Sequence, residues 1–378
     1  MRCEATTKID ASGDGALALT AVSMGDSGGF DGRRFTMARR LTVSALALLI
    51  VLDGASSPGV VRAADSTVAE EALERLPISA DQRRQLLRNE VVSYPVNETS
   101  ERELAVGLAV FVSAPLDHVA EYLGSGDLLA HDATISAHGR DALPAVLFTD
   151  KERGEAESLL DAAPGTRFNV SPAEIDALRA LRTSPVTAPQ GADGYRKLLR
   201  DRWQAYERGG LGAMAPYARA AGAATDPAAQ LRLGLADAER VARYGPRLRE
   251  ALTSYPAGQP PELVNRVYWI KRRVQRRPQL SLLHQMVMRG PDLVVHVERY
   301  FYVGHSYNAA QIITGAFAYG NGTVVFAACR FSTDEVLGVG NQLKRSVGRG
   351  QLREEMRKRL EAVAHALSRP VTPAPQTP

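Results

Sequence analysis

The sequence predicts an α+β fold: an antiparallel sheet packed on a long C-terminal helix, with a helical insertion dividing the chain. Three observations predict it. Apolar residues alternate with a period of two through residues 281–331, in two pairs of runs separated by turn residues. From 343 to 367, Leu343, Val347, Leu352, Met356, Leu360, Val363 and Leu367 recur mostly at steps of three or four, one apolar stripe of a helix. Between these and the N-terminal segment, residues 195–254 are helical in character almost throughout, with Tyr195, Leu198, Leu199, Trp203 and Tyr206 on one face.

The chain opens with a processing signal. Arg39-Arg40 precede an apolar run, Leu41–Leu52, and Val61-Arg62-Ala63 follows, the order of a secretory signal peptide over residues 37–63. Cleavage is expected near Ala63, and export to the periplasm or the extracellular space with it. Residues 1–36 have neither a helical nor a strand period. They read as a disordered leader, or as a start placed upstream of a true one at Met37. The apolar run falls short of the ~20 residues that cross a bilayer. No later run is longer, so no membrane span is expected in the mature chain.

In the N-terminal α+β segment, 64–182, residues 65–90 read as helix, with a capping box at Ser79–Gln82. Residues 91–112 read as strand, turn and strand. Pro115 begins a helix that Gly124 ends, and 133–148 supplies a further strand or two. Ser171-Pro172-Ala173-Glu174 combines an N-cap, a Pro at the first helical position and a Glu at the third. The Pro- and Gly-rich stretch 183–194 reads as a linker, and 195–258 as the helical segment, broken at Gly209–Gly212 with further helices around 227–242 and 246–254. In 259–368, strands 281–288 and 293–303 join through Arg289–Asp292. Strands 309–319 and 323–331 join at Asn321-Gly322, a strong hairpin signal. The terminal helix follows, with Glu354–Lys358 and Glu355–Arg359 as pairs on its wet face. The Pro/Thr-rich tail 369–378 reads as disordered.

Composition narrows the function classes. Of 378 residues, 46 are Lys or Arg and 42 Asp or Glu, a formal charge of only +4. Arg far outnumbers Lys, as GC-rich codons produce, so basicity argues weakly for a polyanion and no nucleic-acid partner is expected. The basic run Arg266, Lys271, Arg272, Arg273, Arg276 and Arg277 reads as a solvated helix face. Cys329 lies in an apolar run and reads as a small buried hydrophobe.

The candidate site is the strand 293–303. Strict alternation places Val294, His296, Glu298, Tyr300 and Tyr302 on one face and Val295, Val297, Arg299, Phe301 and Val303 on the other. One face meets the last helix. The first set, aromatic with a few polar groups, has the composition of a ligand-cavity wall, and His284 on the paired strand can join it. No recognised metal-ligand spacing accompanies these residues, so no metal and no cofactor is expected. His305 and Ser306 are adjacent, and on an extended segment their side chains point apart, which argues against a serine nucleophile. Gly338 and Gly340 precede the last helix without completing a phosphate-binding fingerprint.

The strand-then-helix 104–124 and the block 281–367 resemble the START-related helix-grip class. The resemblance implies a curved sheet wrapping a C-terminal helix with a hydrophobic cavity between them. The chain also resembles exported bacterial proteins. These readings predict a soluble exported protein that binds a hydrophobic or lipid-like small molecule without catalysis, lined by His296, Glu298, Tyr300, Tyr302 and His284. The alternatives are an envelope hydrolase using His296 and Glu298 as an acid–base pair, or an envelope interaction module without a ligand.

Overall fold

The computed structural model describes residues 69–125, 128–130, 132–140, 142–182, 187–235 and 246–368. The expected leader, the expected signal peptide with its cleavage point, and the tail 369–378 lie outside the described residues. An eight-stranded antiparallel sheet forms the centre, in the order β1-β2-β10-β9-β8-β7-β6-β3. Its strands are β1 (Val92–Tyr94), β2 (Glu103–Val112), β3 (Ile135–Gly139), β6 (Leu263–Val274), β7 (Arg277–Arg289), β8 (Leu293–Val303), β9 (Ala309–Tyr319) and β10 (Gly322–Ser332). The two-residue strands β4 (Tyr217–Ala218) and β5 (Ala224–Thr225) pair separately. N-terminal and C-terminal segments therefore share one sheet, because β2 zips onto β10 over its whole length.

The sheet is the middle of three layers. On one face lies α8 (Asn341–Leu367), over β2 and its neighbours, with α2 (Leu116–Ser125) beside it. On the other lie the inserted helices: α3 (Arg153–Leu160), α4 (Pro172–Ala180), α5 (Ala188–Gly209), α6 (Pro227–Gly234) and α7 (Pro246–Ser254). The short α1 (Ala80–Leu86) starts at the expected Ser79–Gln82 capping box and closes the β1 end. The fold is the expected α+β, helix-grip-like arrangement, with its insertion bound to the sheet face opposite α8.

Several expectations need correction. The stretch 183–194 is not all linker, since α5 begins at Ala188. Thr187 and Gln190 form a capping box, and Pro189 falls in the first turn, where its missing N–H costs nothing. Gly191 lets α5 touch α3: a Cβ there would lie 2.1 Å from the Ala156 carbonyl oxygen. The basic run 266–277 is a hairpin, strand β6 and the start of β7 with Arg276 in the turn between them. Part of it is pinned: Lys271 bonds Glu152 and the Leu147 carbonyl, and Arg277 bonds Glu155, while Arg273 and Arg276 are exposed. Only β3 forms within 133–148, and α3 was not anticipated.

The apolar stripe of α8 is also shorter than expected. Leu352, Leu360, Val363 and Leu367 are buried, but Leu343 and Val347 are 64% and 47% exposed. The five-residue step from Val347 to Leu352 turns the stripe to the far side of the helix. Gly340, at the N-cap, takes a left-handed conformation with φ 72°.

Candidate functional site

Between the sheet and α8, β8 presents His296, Glu298 and Tyr300, all buried. Arg359 reaches down from α8 and its Nη2 donates to Glu298 Oε1 at 2.6 Å. It does not sit on the wet face opposite Glu355, as its spacing suggested. Burial alone would push the Glu298 carboxyl up, but the charge and hydrogen bond of Arg359, with His296, together outweigh it and hold the group below the usual carboxylate range. Arg272, from β6, donates through Nη2 to the Tyr300 hydroxyl at 2.9 Å, its guanidinium 5.3 Å from the ring centroid. It also lies 3.8 Å from Asp132. Desolvation works to raise the Asp132 carboxyl too, and Arg272 and Arg359 together bring it down.

This interface leaves polar atoms without partners. Neither ring nitrogen of His296 has one, nor do Glu298 Oε2, Gln285 Nε2 and Arg272 Nε. Gln285 stands directly opposite Glu298 on β7 and accepts only a long bond, 3.4 Å, from Arg266. Buried polar atoms are otherwise almost always paired. Burial drops the His296 imidazole to about 4, with Glu298 opposing and Arg359 and Arg266 assisting, so it is neutral at pH 7. Apolar side chains complete the surroundings: Ile270, Leu283, Ile312, Phe331, Leu352 and Cys329. Burial raises the Cys329 thiol to about 12, which keeps it an inert hydrophobe, as its sequence context suggested. A hollow of about 20 Å³ opens at one end of this interface, between Leu104, Tyr307, Phe331, Leu352 and Glu335. A wider surface groove of about 490 Å³ beside the start of α8 is lined by Glu101, Asn341, Gln342, Arg345 and Arg349; Glu98 pairs with both of its guanidiniums.

The structure brings together three of the five expected site residues. Tyr302 and His284 lie on the opposite face. Pairing shifts register between Leu282 and Leu283, which oppose Tyr302 and Tyr300, so Phe301 is an extra residue on β8. Strict alternation fails there, and both Phe301 and Tyr302 join the core under the inserted helices. Tyr302 packs under Arg202, whose guanidinium carbon is 4.6 Å from its ring centroid. His284 is opposite Arg299 in the ladder and shares its face. It makes 2.9 Å bonds with the Tyr206 hydroxyl at Nδ1 and with Asn265 Oδ1 at Nε2, which fixes the proton on Nε2.

His305 and Ser306 do meet, against expectation. Ser306 has φ 73°, so the segment is not extended, and its Oγ lies 2.6 Å from His305 Nδ1. Nε2 donates to the Pro278 carbonyl at 3.1 Å. Burial lowers His305 to about 4, which makes it a weak base for activating a serine.

Sequence reasoning missed Arg359, Arg272, Gln285 and Asp132. Arg359 had a signal: it lies between Met356 and Leu360, on the inward side of an otherwise apolar stripe. Arg272 and Asp132 had none, since their proximity depends on the pairing of β6 and on where the chain before β3 passes.

Among the described residues, no group of three or more His, Cys, Asp or Glu is placed to hold a metal ion, and no helix is long and apolar enough to cross a membrane. No family model matches the chain, and no curated protein matches it. Among solved structures, the chain is similar to that of Ara h 8.0201, with 9% identity and a TM-score of 0.18. The match covers 27% of this chain and 65% of that one.

Proposed function

We propose that this chain is an exported, non-catalytic protein that holds a small, largely apolar molecule with a polar end between β6–β8 and α8. One observation carries the reading: four buried polar atoms on His296, Glu298 and Gln285, neighbours on β7 and β8, have no partner. Each such atom costs about 1–3 kcal/mol while unpaired, and a ligand's polar end would repay that cost while its body replaced contacts with α8. Binding therefore requires α8 to shift, because the hollow at one end of the interface is of single-water size and is lined by none of these residues. Few apolar residues of this 27-residue helix are buried, Leu352, Leu360, Val363 and Leu367, so its hold is light for its length.

Acid–base chemistry by the same pair is less well supported. Glu298 is tied to Arg359 and kept ionised, so it has no proton to give, and His296 at about 4 is a poor base at neutral pH.

Native mass spectrometry of the protein from its natural source, with chloroform–methanol extraction of the same sample, tests the reading. A small molecule should accompany the wild-type chain and be missing from His296→Leu. A wild-type mass equal to that of the bare processed chain, with an empty extract, would sink it.

A further inference from the structure

We infer that the start of α8 is a docking surface for an anionic lipid bilayer, whether or not a molecule lies beneath the helix. Val339, Leu343 and Val347, spaced four apart, are 88%, 64% and 47% exposed. Val339 precedes the helix in a turn between Gly338 and Gly340, both in the left-handed region. Leu343 and Val347 lie within about 40° of each other around the helix, on the side opposite buried Leu352. Water does not favour such an aliphatic strip, and the strip is stabilised on entering the boundary between headgroups and acyl chains.

Charge selects the occupant. From Leu337 to Arg353 the chain carries Lys344, Arg345, Arg349 and Arg353 and no acid. Lys344 and Arg353 flank the strip, about 100° to one side of Leu343 and about 80° to the other. Lys344 bonds the Leu337 carbonyl, and exposed Arg353 has no ion-pair partner among the described residues. Arg345 and Arg349 share one carboxylate, that of Glu98, and Glu101 lies beside them. Glu335 faces Lys344 and takes a bond from Gln275, so the β6–β7 turn brings exposed Arg276 to the same end. The helix start adds to this: Gly340 offers no capping side chain and the first turn holds no acid, so nothing there offsets the positive end of the helix dipole. A nucleic acid would answer the charges but not the aliphatic strip. A neutral bilayer would take the strip and leave the cations unanswered. Anionic headgroups over acyl chains answer both.

The test is co-sedimentation of the chain, purified from its natural source, with vesicles of phosphatidylcholine alone or mixed equally with phosphatidylglycerol. At about 0.05 M salt the anionic vesicles should bind it about ten-fold or more tightly than the neutral ones, and at about 0.5 M most of that preference should be lost. Leu343→Gln with Val347→Gln should weaken anionic binding about ten-fold. Lys344→Gln with Arg353→Gln should weaken it about ten-fold or more. Urea midpoints should stay near that of the wild type, because none of the four side chains is buried. Should either pair unfold the chain, Val339→Gln in the turn should still weaken binding about three-fold. Equal binding to both vesicles, binding to neither, or anionic binding that the folded variants leave intact overturns the assignment. A dimer in sedimentation equilibrium that Leu343→Gln with Val347→Gln disperses, without vesicle binding, overturns it in favour of a second copy of the chain.

Discussion

Two histidines on neighbouring strands, His284 and His296, face opposite sides of one sheet, and the contrast between them runs through the whole molecule. On the insertion side, His284 has a partner at each ring nitrogen. Elsewhere on that side the polar groups are knitted: Arg202 pairs with Glu174 at 2.6 Å, and Arg219 donates to Asp334, Asn169, Asn308 and the Gly165 carbonyl. Arg202, Asn308 and Gln311 each leave one nitrogen unbonded, but each also makes other bonds. On the α8 side, His296 has no partner at all, and Gln285 and Arg272 are only partly satisfied. The same sheet thus has one face finished by the chain itself and one left incomplete. A finished face is what fixes a structure; an incomplete one is what a ligand can complete.

Acid should produce the largest effect, because both faces bury neutral imidazoles. His284, faced by Arg299, Tyr206 and Asn265, is pushed well below the ordinary 6.5. His296, faced by Glu298, Arg359 and Arg266, falls to about 4, as does His305, faced by Arg277, Ser306 and the Pro278 carbonyl. A folded-state value below the unfolded one means stability that is complete above pH 6.5 and lost as pH falls toward 4. His296 and His305 should each remove about 3 kcal/mol over that range. Urea titrations between pH 7 and pH 4 should show the fall, and His296→Leu should make it shallower by about its own share. A stability that stays flat over this range would mean that these rings are not held neutral.

Next in size is Arg219→Met on the finished face. It takes the Arg219 donors from Asp334, Asn169 and Asn308, and leaves Asp334 its bonds from Arg102 and Thr225. A loss of about 2–3 kcal/mol is expected, as when hydrogen bonds to a charged group are removed. Urea unfolding followed by tryptophan fluorescence would measure it. A loss below about 1 kcal/mol would erase the distinction between the faces.

The finished face was poorly legible in the sequence and the incomplete one better. Period two in β7–β10 and the inward-facing half of α8 set out the helix-grip-like half, and alternation along β8 placed His296, Glu298 and Tyr300 correctly together. Alternation then failed at Phe301, because a bulge is a matter of pairing with Leu282 and Leu283, not of local composition. Pro189 and Gly191 looked like linker because Pro and Gly usually punctuate chains. Here one serves the first turn of a helix and the other a close helix crossing, and only the tertiary contact with Ala156 distinguishes those roles. The His284 network needs Tyr206, 78 residues away, and no spacing rule connects them.

The smallest effect is also the sharpest, because it turns on sign. His284→Leu removes a ring with two good bonds and leaves the Tyr206 hydroxyl with only its 3.4 Å bond from Arg299. It should cost about 2 kcal/mol. His296→Leu exchanges a buried ring with two unmet nitrogens for an apolar side chain. It should be neutral or stabilise by about 1 kcal/mol in the ligand-free protein. The two side chains lie on opposite faces and share no bonding partner, so the double variant should equal the sum of the singles within about 0.5 kcal/mol. The measurement is the urea midpoint of the three variants at pH 7, after delipidation. If His296→Leu costs as much as His284→Leu, then His296 has partners in the folded, ligand-free chain. The α8 face would then be as complete as the other, and the reason for placing a ligand there would be gone.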